Sequence, residues 1–548
     1  MVPTALPRHA LLVALLVGST PAQATEYHVA EGGAGTGTAA DPFGTIQEGL
    51  DAAQPGDTVI VAAGTYTESL QTVRDGIDGA PIVLRGDTTD GPVVVTTSGR
   101  VLRVDHAHAV FEDLVVDGQY GDADAVDVND GAHHLVLRRC EVVHSGRDCV
   151  DMGAPTDVLI EGCLIHHCLN SDGGRTDAHG VTGGAVGRLT LRDTEIHSFS
   201  GDGVQFDPGR ELPGWDDVVI EGCHIWLEPL PQAENGFAAG TVPGENAVDT
   251  KTHNDAPRAS LVIRDSVFSG FRGGLISNMA ALNLKENIDA TLDRVTLWDN
   301  EIALRLRGPT SDHPAGSWVR AQNVVIYDVG AAVRYEDDIE NLRLWHLTLG
   351  GDVIAPFVEA SSDNSVLDVR NLLLLGTTLP AEAVGGSNLV VDGDAFVNAV
   401  GHDYHLEVGS PAIDQGEAIP EVTLDHDAVS RPQGAAPDVG AYEWCETCVP
   451  QTQVDAGVPQ PQVDGGPQPQ VDGGPADDPD SPSTGCGCHP TADLPPGGTI
   501  LLLALWLALW LAHRIRPHRR EPGCIDGLGD RLVDSRPLTT SPVSFRRL

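Results

Sequence analysis

Basic residues are scarce in this chain. Its 548 residues carry 33 Lys+Arg against 79 Asp+Glu, a formal net charge of −46. Such a balance opposes nucleic-acid binding, which needs a positive footprint. It also opposes simple electrostatic attraction to a polyanionic polysaccharide. A substrate of that kind would need local compensation by bound cations or by an Arg/Lys cluster. The body of the chain also lacks any long apolar run. Its apolar strands are too short to bury a face alone, which argues against an ordinary globular core.

What is present is a repeat. Short apolar strands end in a polar or cysteine step and then resume, as in LVLRRCEVVH (135–144), VLIEGCLIHH (158–167), LTLRDTEIHS (189–198), VVIEGCHIWL (218–227) and LVIRDSVFSG (261–270). The equivalent positions Cys140, Cys163, Thr194, Cys223, Ser266, Val295, Val324, Leu347 and Leu372 recur at intervals of 23 to 43 residues. Repeats of that length predict a stacked solenoid, with insertions collecting as loops on one face. Residues 41–53, DPFGTIQEGLDAA, predict a helix that covers the first edge of the stack, as terminal repeats require.

The ends read differently. Residues 1–24 have the form of a secretory signal, with Arg8 and His9 before an apolar run and Ala22-Gln23-Ala24 as a cleavage site. Ten cysteines suit an exported chain. Cys140, Cys163 and Cys223 share one position in the repeat and predict an inward stack. Cys149 and Cys168 leave open a disulfide, buried thiols, or a zinc site with His166 and His167, although no zinc-site spacing is matched. Residues 445–497 form a Cys-containing, Pro/Gly/Asp-rich spacer, with VDAGVPQPQ, VDGGPQPQ and VDGGP as small repeats. An apolar segment with a basic flank follows at 498–520, carrying Trp506 and Trp510. It predicts a sorting or transmembrane element, hence membrane contact directly or through a processed anchor. Residues 521–548 are an expected disordered tail.

The opening GTAADPFGTIQEGLDAAQPGDTVIVAAGTYTE (37–68) and the closing GSPAIDQG (409–416) and RPQGAAPDVGAYE (431–443) resemble the right-handed parallel β-helix family of pectate-lyase-like proteins. The resemblance spans roughly 26–444 and implies one all-β domain, a right-handed parallel β-helix over 25–444 with an N-terminal helical cap. The Gly-Cys pair before the apolar run and arginines is similar to the C-terminal sorting signals of myxobacterial surface proteins. It implies Cys486 or Cys488 as the anchoring residue and a surface-displayed or released protein. The extension past the arginines departs from that pattern. A monomer is expected.

A second set of strands supplies candidate chemistry: DAVDVND (124–130), DCVDMGA (148–154), DAHGVTG (177–183), DGVQFDP (202–208), NAVDTKT (246–252) and IALRLRG (302–308). Read as a ladder, it aligns Asp124, Asp148, Asp177, Asp202 and Asn246 in one column. Asp127, Asp151, Gly180, Gln205, Asp249 and Arg305 form a second. Carboxylates at strand spacing repel unless compensated. Calcium is the natural partner, with Glu245, Asp249, Asp202 and Asn246 as ligands; a hydrated acidic face is the alternative.

Lysine is scarce, yet Lys251 stands beside Glu245 and Asp249. Lyases of this fold abstract the proton α to a uronate carboxyl with Lys or Arg. The resemblance therefore implies Lys251 as base, with Arg305 and Arg307 as further catalytic candidates and calcium neutralising the carboxylate. Such an α-proton is weakly acidic until the developing charge is stabilised. A surface ion pair between Lys251 and Asp249 is the plainer alternative. Arg272, His179, His253 and Trp226 are candidates for binding substrate, and Trp215 and Phe237 for stacking on sugar rings. A glycoside hydrolase built on paired carboxylates, such as Asp148, Asp151, Asp177 and Asp202, and a non-catalytic carbohydrate-binding surface protein both stay open.

Overall fold

Short strands in this chain survive by stacking. In the computed structural model, which describes residues 24–170, 177–206, 214–253, 256–310, 314–360 and 364–447, they build a right-handed parallel β-helix. Each coil contributes three faces. The first is a thirteen-stranded parallel sheet containing Leu135–Arg138, Thr156–Glu161, Gly187–Arg192, Asp216–Glu221 and Ala259–Arg264. The second holds Glu141–Ser145, Leu164–Cys168, Glu195–Phe199 and His224–Trp226. The third holds Val126–Val128, Val150–Met152, Val181–Gly183, Val204–Phe206, Val248–Thr250 and Ala280–Leu284. The second and third faces belong to one twenty-two-stranded sheet, and Thr296–Arg307 and Val325–Glu336 run across both.

Alternation decides what enters the core. Along Ala259–Arg264, Ala259, Leu261 and Ile263 are buried and their neighbours are not. The nine repeat positions from Cys140 to Leu372 are all buried, at the corner between the first and second faces. Cys140, Cys163 and Cys223 are free thiols there. Each Sγ meets a carbonyl of the preceding coil, that of Phe111, Leu137 or Leu191, at 3.5 Å. Cys149 and Cys168 form a disulfide, which removes them as zinc ligands.

The outward row of the first face fixes the register. Glu112, Arg138, Glu161, Arg192, Glu221 and Arg264 face one another on successive strands. Arg138 bridges Glu112 and Glu161 at 2.7 Å each, and Arg264 Nε meets Glu221 at 2.7 Å. Shifting the stack by one coil would set like charge on like charge.

Both ends are closed. The helix Ile46–Ala52 begins at a capping box of Thr45 and Glu48, and Glu68 accepts the peptide N–H groups of Ile46 (2.8 Å) and Gln47 (3.1 Å). Ile46 and Leu50 cover the first coil. At the far end the antiparallel pair Phe396–Asn398 and Asp403–Leu406, followed by irregular chain to Trp444, packs on the last strands through Tyr404, Val439 and Ala441.

The expectation of a transmembrane element is corrected here: among the described residues no helix is long and apolar enough to cross a membrane. The apolar stretch at 498–520 that prompted it lies outside the described residues, as do most of the signal segment, nearly all of the spacer, and the tail.

Candidate functional site

The third face and its exit carry both lysines of the chain. Strand pairing aligns Asp127, Asp151, Thr182, Gln205, Asp249, Asn283, Arg305 and Arg334 in one outward column. This differs from the sequence alignment in two places. Thr182, not Gly180, occupies the coil after Asp151, because Val181 pairs with Val150. The coil Ala280–Leu284, absent from that alignment, inserts Asn283 between Asp249 and Arg305.

The other column is a structural ladder. His179, rather than Asp177, follows Asp148 in it. The His179 peptide N–H donates to Asp148 Oδ1 at 2.8 Å, Asn246 N–H to Asp202 Oδ1 at 3.0 Å, and Ala280 N–H to Asn246 Oδ1 at 3.0 Å. Asn246 Nδ2 also donates to Asp202 Oδ1, at 2.8 Å. Asn246 is therefore fully engaged, and Asp202, 2 % exposed, has spent one oxygen. Burial pushes Asp202 up to about 7, helped by the charge of Asp249. His179 lies between carboxylates, with Nδ1 2.7 Å from Asp148 Oδ1 and Nε2 3.9 Å from Asp202 Oδ2. Burial opposes its charge, but the bond to Asp148 and the fields of Asp148, Asp202 and Asp177 prevail and hold it at about 9.

A pH prediction follows from His179. Its folded value lies above the ordinary value of about 6.5. Its contribution to stability is thus complete below pH 6.5 and lost as pH rises through 9. Asp202, also raised in the fold, acts in the same direction, from its unfolded value up through about 7. The urea midpoint should fall between pH 6.5 and 9, and fall less steeply in His179→Gln. Parallel curves for the two proteins would refute this assignment.

The centre of the face is Asp249, 3 % exposed. The chain has two lysines, Lys251 and Lys285, and both reach this carboxylate. Lys285 Nζ lies 2.8 Å from Asp249 Oδ2 and Lys251 Nζ 3.6 Å from the same atom. Lys251 also donates to Gln205 Oε1 at 2.5 Å. Its backbone is pinned from behind, where the buried Trp215 donates through Nε1 to the Lys251 carbonyl at 2.8 Å. Asp249 Oδ1 and Asn283 Oδ1, on adjacent strands, are buried without a hydrogen-bond partner among the described residues. Beyond them Arg305 Nε meets Glu336 at 2.9 Å, Arg334 Nε meets it at 3.1 Å, and Arg307 pairs with Glu286 at 3.2 Å. Burial works against the Glu336 charge, but Arg305, Arg334 and Arg307 hold its carboxyl below the usual range.

The candidates named from sequence separate accordingly. Lys251, Asp249, Arg305 and Arg307 share the third face and its exit. Glu245 and Asn246 enter the Asp249 strand beside Asp202, and Glu245 hydrogen-bonds through its N–H to the Gly201 carbonyl at 2.8 Å. His253 sits two residues past Lys251. Trp226 lies on the second face, stacked on His197 (4.5 Å) and His224 (4.2 Å). Arg272 bridges Asp299 (2.6 Å) and Asp328 (2.9 Å) and lines a separate open cavity of 700 Å³ with Glu301 and Asp352. Lys285 and Asn283 escaped the sequence reading.

Of the four proposed calcium ligands, Asp249 offers an unpartnered oxygen, whereas Asn246 offers none. Asn283 supplies a second such oxygen on the adjacent strand. With Lys251 and Lys285 on the other Asp249 oxygen, the pair would give only part of the roughly 6–8 oxygens calcium takes.

No family profile and no curated protein matches this chain. Solved structures with a similar course include the pectate lyase Pel9A (16 % identity, TM-score 0.46, 77 % of this chain and 97 % of that one). A rhamnogalacturonan lyase gives 13 %, 0.45, 68 % and 90 %. An alginate lyase from Paenibacillus sp. str. FPU-7 gives 17 %, 0.35, 60 % and 95 %. At these identities and scores the function rests on the chain's own residues.

Proposed function

We propose that this protein is an exported carbohydrate-active enzyme that cleaves a uronate-containing polysaccharide by β-elimination. The observation that carries the reading is the convergence of the chain's two lysines on Asp249, with Arg305 and Arg307 on the coil beyond. On a chain of net charge −46, two lysines sharing one carboxylate leave local positive charge for an anionic group. Lys251, as the neutral amine, takes the α-proton. The glycosidic C–O bond β to the carboxylate breaks as the C=C bond forms, and the departing oxygen takes a proton from water. Lys285 and Arg305 face the substrate carboxylate and stabilise the charge that develops on it. Asp249 and Gln205 position the Lys251 amine and stabilise the ammonium that forms once it has taken the proton, and Trp215 fixes the backbone that carries it. Calcium, held by Asp249 and Asn283 with substrate oxygens completing its shell, would add further neutralisation.

The test is a panel of pectate, alginate and glycosaminoglycans, with and without chelator, read by the ultraviolet absorbance of the unsaturated product. Product on one polymer, slowed by chelator, is the expected result. Reducing ends without absorbance would replace the lyase with a hydrolase, and no product on any polymer would leave a binding protein. The hydrolase reading draws on Asp202, raised to about 7 beside Asp249. It stands second because Asp202 is buried and its Oδ1 is engaged by Asn246.

The same proposal includes display at the cell surface through the tail. Deleting 449–548 should leave the β-helix folded and move it from the cell fraction to the medium. Equal cell retention of the truncated chain would refute the anchor.

A further inference from the structure

We propose that His108, His133 and His134 form a binding site for a first-row transition ion of the zinc class, separate from the Lys251 face. His108 and His134 occupy the same turn on successive coils. Both have left-handed backbone, φ 51° and 55°, and each immediately precedes a first-face strand, Ala109–Glu112 and Leu135–Arg138. Coil stacking lays the two rings face to face, with centroids 4.5 Å apart and planes 24° apart. His133 closes the group edge-on to His108 at 5.2 Å. One donor nitrogen from each ring lies within 4.8 Å of the other two.

The tightest contact argues for a shared cation. Nδ1 of His133 and Nδ1 of His134 are 2.8 Å apart. Two such nitrogens need either one proton between them or one metal ion. Zn–N bonds of about 2.0–2.1 Å hold two ligand nitrogens roughly 3 Å apart, so this pair already stands near coordination spacing. His108 completes a three-nitrogen set by a modest ring rotation. Carboxylates surround the group without entering it. Asp157 Oδ2 is 3.9 Å from His134 Nδ1, and Asp75 and Asp78 act on His108 through their charge. That field favours a cation. On the next coil Asp157 is engaged by Arg188 at 2.5 and 2.7 Å, which bounds the site.

Imidazole nitrogens select Zn²⁺, Cu²⁺ or Ni²⁺ over Ca²⁺. Three of them leave a coordination position open to water or to another ligand. From Leu135–Arg138 to Ala259–Arg264, the strand that follows Lys251, the stack advances four strands. That is roughly 19 Å at the usual strand spacing.

The test uses the full chain, stripped with chelator and titrated with Zn²⁺ against a chromophoric competitor. The same titration is run on His133→Ala/His134→Ala and on His108→Asn, where asparagine tolerates the left-handed turn. Wild type should bind one more equivalent than either variant, at micromolar dissociation constant or tighter, with affinity for that equivalent falling about 100-fold. Other histidines and the tail cysteines contribute equally to all three proteins and cancel. Cu²⁺-loaded wild type should show an electron paramagnetic resonance signal coupled to three nitrogens, lost in both variants. Equal stoichiometry and affinity in wild type and in a folded His108→Asn protein would overturn the proposal. So would a copper signal unchanged by the substitutions.

Discussion

Lys251→Ala is expected to lower formation of unsaturated product by about 10³-fold, in line with removal of a positioned general base. Folding should change little. The Lys251 side chain is 39 % exposed, and its ammonium meets two groups, Gln205 and Asp249, of which Asp249 keeps Lys285 as a closer partner. The cost in stability should stay within about 0.5 kcal/mol, as at most surface sites. Lys251→Gln sharpens the test: it keeps a polar side chain of similar reach beside Gln205 and Asp249 but offers no amine to take up a proton. It should therefore resemble the alanine variant in rate and wild type in substrate affinity. Lys285→Ala should lower turnover as well as weaken substrate binding, because Lys285 lies against Asp249 and stabilises through charge both the bound carboxylate and the charge that develops on it. Unchanged turnover in Lys251→Ala, measured on the polymer that wild type cleaves, would remove Lys251 from the mechanism even if the reaction class held.

The repeat was readable because a solenoid keeps each coil local in sequence. Cys140, Cys163 and Cys223 share a position in the repeat and share a buried corner in the fold. The alternating ladder of Arg138, Glu161, Arg192, Glu221 and Arg264 was equally present in LVLR, VLIE, LTLR, VVIE and LVIR. Its meaning needs the strands to be adjacent and in register, and only then do the opposite charges pair.

The third face was harder to read. Its strands from Val126–Val128 to Val248–Thr250 are three residues long and follow loops of variable length, so the point where each strand resumes is set by hydrogen bonds between coils. The bond from His179 N–H to Asp148 places Thr182, two residues beyond Gly180, next to Asp151. The strand Ala280–Leu284 is buried at all five residues and has no aspartate step. It carries no alternation to mark its outer side, which is why Asn283 and the following Lys285 were passed over. The three histidines at 108, 133 and 134 posed the same difficulty: His108 meets His134 only once one coil is known to lie on the next.

Glu443→Ala should cost about 3–5 kcal/mol, the largest stability loss expected from a single substitution in the closing segment. Arg431 and Glu443 both belong to the RPQGAAPDVGAYE stretch, and their side chains are 1 % and 0 % exposed. Glu443 Oε1 accepts from Arg431 Nη1 at 2.6 Å and from the Asp438 peptide N–H at 2.8 Å; Oε2 accepts from Gln433 N–H at 3.0 Å. The guanidinium also donates to the carbonyls of Gly440 (2.9 Å) and Ala441 (2.8 Å) and to Asn323 Oδ1 (3.1 Å). Asn323 sits at a turn of the β-helix itself, so this buried ion pair fastens the irregular cap to the coils. Burial lowers the Arg431 pKa and raises that of Glu443, the direction in which each charge is disfavoured, and each needs the other to stay ionised. Removing Glu443 takes away the one carboxylate hydrogen-bonded to the buried guanidinium, leaving backbone dipoles, Asn323 and the charges of Asp425 and Asp438 to compensate it. It also strips two peptide N–H groups of their acceptor. Arg431→Met with Glu443→Leu should be markedly less harmful than Glu443→Ala, because it removes both charges and keeps the volume. Guanidinium denaturation of the three proteins reads the difference directly, and a loss below about 1 kcal/mol in Glu443→Ala would show that the pair does not hold the cap.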